Sequence, residues 1–222
     1  MQSPKPKVQG HNIVLIGNFN PKIFQPAWFG AEGLLSKQET EKANIQIIHP
    51  DVVIFSIEEL LKLEVTRERF VLSTTQEPYD EVIRDLALGT FRLLRHTPII
   101  KMGINRDMHF QIESEKKWHE IGHKLAPKEL WRDILENPGM RTLTMEESKR
   151  RDDGLKGYIR VKIEPSNKVY LGVFFSINDH FETQEPSSTV GSDEIIDILS
   201  SSWEKSCKRS KSIIYSLLGK LL

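Results

Sequence analysis

The sequence predicts an α+β fold: a mainly antiparallel sheet of hairpins and a C-terminal meander, covered by helices and closed by a long amphipathic C-terminal helix. Three observations carry this. Ile159, Val161 and Ile163 alternate with Tyr158, Arg160, Lys162 and Glu164, and Val169, Leu171, Val173, Phe175 and Ile177 repeat the period beyond the turn at residues 165–168; a period of two marks half-buried strands. Leu61, Leu63 and Val65 alternate with charges, and Phe70 and Leu72 resume the pattern after Arg67-Glu68-Arg69, giving a second hairpin. Ile196, Leu199, Trp203, Cys207, Ser210, Ile214, Leu217 and Leu221 recur at alternating intervals of three and four, the seam of a long helix. Hairpins mixed with covering helices argue against a doubly wound parallel sheet.

The remaining elements follow in chain order. Ile13–Ile16 reads as a buried strand that ends in the turn-forming Gly17-Asn18-Phe19-Asn20-Pro21, with a brief helix near Pro26–Leu35. The β-branched residues on both sides of Pro50-Asp51 predict strands flanking that break. Pro78 suits a first helical position, and Tyr79, Val82, Ile83, Leu86, Leu93 and Leu94 keep helical spacing to about His96. Ile99–Met102 and Met108–Ile112 read as two strands around a turn at Gly103-Ile104-Asn105. A helix capped by Ser114 follows, interrupted at Pro127, and a second helical segment spans Lys128–Leu135. Thr142–Met145 opens the meander. The expected organisation is a mobile start at 1–10, a core domain over 11–182, a linker-like loop over 183–191 and the amphipathic helix over 192–222, with no internal repeat.

Composition narrows the function classes. At 222 residues with 38% hydrophobic and 28% charged content the chain can bury one sizeable core. Lys plus Arg and Asp plus Glu each total 31, so no net charge draws the protein to nucleic acid, and such contact is not expected. The single cysteine excludes an intrachain disulfide, no apolar run has the length of a membrane span, and the N-terminal residues lack the apolar core of a signal peptide. A cytoplasmic protein is the expectation.

The one stretch that points directly at chemistry is His119-Glu120-Ile121-Gly122-His123, an H-E-x-x-H on the predicted helix. Histidines at i and i+4 share a helix face and can hold one Zn²⁺, and the Glu beside the first can act as general base on zinc-bound water. Over these five residues and their flanks the chain resembles the zincin metallopeptidases, which implies His119 and His123 as ligands, Glu120 as base and zinc as cofactor. The third ligand would be Glu129 or His180, with His109 a further candidate. The surroundings depart from the family: Lys117 and Lys124 stand where its buried helix carries uncharged residues, and the metzincin turn glycine is replaced by Ala126. With Trp118 at zero on a helical wheel, Ile121, Gly122 and Leu125 lie within about 60° of it, while His119 and His123 lie near 100° and about 140°.

Weaker signals have ordinary structural explanations. Gly17, Phe19, Asn20 and Pro21 resemble the start of the G-x-F-[DN]-P-x-H-x-G-H signature of nucleotidyltransferases, but Ile23, Gln25 and Pro26 replace its phosphate-contacting residues. Polar clusters at Asn105–His109 and Asn178–His180 suit turns and caps. The tryptophans read as packing anchors. Lys205, Lys208, Arg209 and Lys211 flank the seam of the last helix. The balance favours a non-catalytic binding module, adaptor or chaperone-like. It would take a protein partner through an apolar groove beside the meander or along the last helix, and that helix would serve core closure or homo-oligomerisation.

Overall fold

A computed structural model describes residues 4–147 and 151–222. Among these residues nine strands form one antiparallel sheet: β1 (Val8–Gly17), β2 (Ala43–His49), β3 (Val52–Ile57), β4 (Leu61–Thr66), β5 (Arg69–Thr74), β6 (Ile99–Gln111), β7 (Leu143–Glu146), β8 (Lys156–Pro165) and β9 (Gly172–Glu182), in the order β2-β3-β4-β5-β1-β6-β9-β8-β7. The helices are α1 (Pro26–Ala31), α2 (Lys37–Glu41), α3 (Asp80–Leu93), α4 (Glu115–Leu125) and α5 (Asp193–Leu221). The α+β class and the C-terminal meander are as the sequence predicts.

Strand alternation sends one set of side chains under the helices and the other to an uncovered face. Ile13 and Leu15 of β1, Phe55 of β3, Leu63 of β4, Leu72 of β5, Ile104 of β6 and Phe181 of β9 join one core with α1, α3 and the start of α5. Met108, Phe110, Ile163, Val173 and Phe175 form a second core with Ile121 of α4 and Ile214 and Leu218 of α5. The opposite face carries a polar row. Asn44, Ser56, Lys62, Ser73, Asn12, Asn105, Asn178, Arg160 and Glu146 are consecutive cross-strand partners, a row that crosses all nine strands. Along it Asn105 Nδ2 donates to Asn12 Oδ1 at 2.7 Å, and Asn178 donates to Asn105.

Three expectations are corrected here. The turn expected at Gly103-Ile104-Asn105 is the middle of the continuous strand β6. Its turn-favouring residues simply occupy the polar face, and a Cβ on Gly103 would meet the Asn178 side chain. The helical segment expected over Lys128–Leu135 reduces to a 3-10 turn at Glu129–Trp131 with one further turn. Strand β1 starts at Val8, taking in three residues of the stretch expected to be mobile, and Ser36 with Glu39 forms a capping box that starts the unforeseen α2.

The chain also contains a repeat that its sequence conceals. Each half runs from a long central strand (β1 or β6) through helical turns to a meander whose last strand (β5 or β9) returns to pair with that central strand. Each then passes through a 3-10 turn into a helix (α3 or α5) on the apolar face. The two halves meet where β1 and β6 pair antiparallel. At matching places stand Thr75-Gln76-Glu77-Pro78 and Thr183-Gln184-Glu185-Pro186, then Asp80-Glu81-Val82-Ile83 and Asp193-Glu194-Ile195-Ile196. A four-strand meander in one half and a three-strand one in the other, with unequal connections, erase any fixed period.

The loop over 183–191 is stitched down rather than hanging free. Ile99 N donates to Gly191 O at 3.1 Å, Ser192 N to Arg95 O at 3.0 Å and Ser192 Oγ to Phe91 O at 3.0 Å. The apolar stripe of α5 lies on the chain's own sheet, with Leu199, Trp203, Ile214 and Leu218 buried.

Candidate functional site

Three places on this frame carry chemistry or an unfilled surface. At α4, Ser114 accepts a hydrogen bond from Lys117 N at 3.3 Å and starts the helix, and Trp118 and Ile121 turn to the core. His119, Glu120 and His123 are exposed, as the helical wheel predicts. His119 and His123 nevertheless line one cavity of about 490 Å³ together with Lys128, Arg132, Glu136 and Glu164. His119 Nε2 lies 3.7 Å from Glu115 Oε1, one turn back on its own helix.

The structure does not bring the other candidate ligands to this pair. Glu129 is exposed and pairs with Arg132 at 3.5 Å. His180 stands on the polar face of the sheet, stacked on Tyr158 at 4.4 Å, whereas α4 packs on the apolar face. His109 is on that polar face too, stacked on Phe174, with Nδ1 2.8 Å from Ser166 Oγ and burial holding its pKa below the usual imidazole range. Among the described residues no group of three or more His, Cys, Asp or Glu is placed to hold a metal ion. The two polar clusters do converge in part: β6 and β9 pair Asn105 with Asn178, while Arg106 and Asp179 turn to the buried face.

The second place was hidden because its members come from β1, α3, β6 and α5. His11 and Arg106 are both 2% exposed. Asp80 Oδ2 lies 2.9 Å from His11 Nδ1 and 2.9 Å from Arg106 Nη2, and Cys207 Sγ is 3.9 Å from His11 Nε2. The order Cys-His-Asp matches a nucleophile, base and orienter, but the electrostatics oppose activation. Burial lowers the His11 pKa and pushes the Cys207 thiol up to about 11, so the resting pair is thiol and neutral imidazole. The His11 and Arg106 contacts outweigh burial at Asp80 and keep it ionised. This cluster ties α3 and α5 to the sheet. Thr74 has a comparable structural part, its Oγ1 accepting from Gln76 N at 3.0 Å.

The third place is an apolar groove of about 710 Å³ between the outer meander and the end of α5. Leu143 and Met145 of β7 with Val161 and Ile163 of β8 form one wall, and Ile213 and Leu217 of α5 the other. Lys124, Lys220, Glu146 and Glu147 border it. Register explains the sheet wall: Leu143 pairs with Ile163 and Met145 with Val161, so all four point to the apolar face. Strand β7 is the last of the sheet, and among the described residues its outer backbone groups have no neighbouring strand.

No protein-family model matches the chain, and no curated protein matches it.

Among the described residues no helix is long and apolar enough to cross a membrane.

Proposed function

We propose that this protein is a non-catalytic binding module, adaptor or chaperone-like, that takes a short apolar segment of a protein partner into the groove between β7, β8 and α5. The supporting observation is the groove itself. Its volume falls in the range of binding pockets, it is apolar at the centre and charged at the rim, and Met145 in its wall is 61% exposed. The free edge of β7 adds unpaired backbone donors and acceptors, which an extended segment could satisfy by strand addition.

The test is selection of a displayed random peptide library on the full chain, with Met145→Asp protein as the comparison target. Peptides with apolar anchors that bind the wild type and lose most affinity for Met145→Asp support the reading. Peptides that bind both proteins equally, or no enrichment at all, would remove it.

Zinc-dependent hydrolysis at α4 is the rival reading, favoured by the shared cavity of His119 and His123. Metal content of tag-free protein, compared with a His119→Ala/His123→Ala double variant, separates the two. About one zinc per chain, lost in the variant, would support a built site.

A further inference from the structure

The groove has a counterpart on the same half of the molecule. Between α4 and β7 the chain exposes Leu130, Trp131, Ile134 and Leu135, at 83%, 49%, 70% and 50%. Lys128, Arg132 and Glu136 line the cavity beside α4, and the apolar pairs are exposed to solvent. Clustered apolar exposure of this kind marks an interaction surface.

The first half shows what the corresponding segment does when it is seated. Between β1 and the first meander stand the pairs Trp28-Phe29 and Leu34-Leu35, in the place where the second half has Leu130-Trp131 and Ile134-Leu135. Phe29 is fully buried with its ring 5.9 Å from Phe55 of β3, Leu35 is in the core, and Leu34 packs close to Gly89 of α3. A segment carrying two apolar pairs therefore fills the space between meander and helix in one half. In the other half the segment is turned out and a groove between meander and helix remains open.

We propose that the occupant of the groove is a second copy of this chain, with Leu130, Trp131, Ile134 and Leu135 of each copy seated in the groove of the other. This rests on the binding reading of the same groove and names its partner. Each copy contributes one segment and one groove, so a two-fold axis closes the assembly with both filled. The charges on both sides are mixed, Lys128 and Arg132 standing among Glu129, Asp133 and Glu136 of the segment and Glu146 and Glu147 beside Lys124 and Lys220 on the rim, so the apolar fit carries the pairing. A tryptophan beside leucines is the composition of an interface anchor.

Sedimentation equilibrium from low to several hundred micromolar protein tests this, using full-length wild type, Leu130→Asp/Trp131→Asp and Met145→Asp. All three changes are at exposed positions, and thermal unfolding checks that each variant folds. Wild type is expected to dimerise, and each variant to weaken the dimer by more than about thirtyfold. Mixing the two variants restores a one-to-one pair, because one intact segment still meets one intact groove. A wild type that stays monomeric throughout, or a dimer that both variants keep, overturns the proposal. The library selection is scored separately, so a monomer whose selected peptides depend on Met145 loses the self-docking and keeps the groove as a binding site.

Discussion

In the first half of the molecule the space between meander and helix is closed by rings, and in the second an apolar core is joined by an ion-pair cluster and a groove is left open. Phe24 touches Phe19, Trp28, Phe29, Phe70 and Phe91 at centroid distances of 5.5 to 6.5 Å. In the second half Arg151 reaches Asp153 at 2.8 Å and Asp179 at 2.7 Å, lies over the Phe181 ring, and is joined by Arg209 of α5 at 3.3 Å from Asp179. The same topology thus supports a dry seal and a polar clasp. The ring cluster of the first half is therefore vulnerable to cavity formation, and the clasp of the second to loss of charge.

The largest expected effect is on the ring cluster. Phe24 is 1% exposed, so Phe24→Ala removes a buried side chain with five aromatic neighbours and should cost about 3–5 kcal/mol in urea unfolding. A loss below about 1 kcal/mol would mean that the cluster collapses onto the gap and that the first half is less rigidly sealed than its contacts imply. Next comes Asp80→Ala. It leaves the Arg106 guanidinium buried beside neutral His11, and a cost of about 3 kcal/mol is expected, with Asp80→Asn intermediate.

Acid should act on the two halves in separate windows. The Arg151 guanidinium, with the Leu155 amide, holds the Asp153 carboxyl at about 2, against an ordinary value of 3.8. A carboxylate whose folded pKa is depressed stabilises the fold above its unfolded value and loses that contribution as pH falls through the folded one. About 2 kcal/mol should therefore be present above pH 4 and disappear toward pH 2. Arg151→Met should flatten that slope. His11 acts in a higher window: burial lowers its pKa, so its stabilisation is complete above the ordinary imidazole value and declines as pH falls below it. His11→Gln should remove this second slope while leaving the one due to Asp153.

The legibility of these features divides along the same lines. Strands with strict alternation, such as Leu61–Thr66 and the Val173–Ile177 part of β9, were plain from their period, because one face is buried and the other solvated; Val169 and Leu171 continue the period but lie in the turn before β9, where Leu171 has a φ of 48°. So were the Ser114 cap and the exposure of His119 and His123. The sheet wall of the groove was legible as apolar residues of the meander. Its openness was not, since that depends on where residues 128–135 turn. The cluster of His11, Asp80, Arg106 and Cys207 could not be read at all: four distant residues acquire meaning only when β1 and β6 pair and two helices cross them. A signal for the duplication was present in the two Thr-Gln-Glu-Pro stretches, which a search for unequal spacing would have found.

The edge of the second half tolerates change with little loss of stability. Met145→Ala touches a side chain already 61% exposed at the sheet edge and should change unfolding free energy by less than about 0.5 kcal/mol. Yet it removes part of the wall to which a docked segment would hold. Three of the four residues of β7 are exposed, whereas β4 buries Leu61, Leu63 and Val65 between two neighbouring strands. Amide hydrogen exchange should accordingly be fast at Leu143–Glu146 and slow at Leu61–Thr66 in dilute protein. Raising the concentration should slow exchange in β7 and not in β4 if the groove fills by self-association, and Met145→Ala should weaken that protection without altering β4. Equal protection of both strands at every concentration would mean that the second half is as closed as the first, and that its exposed apolar residues are merely surface.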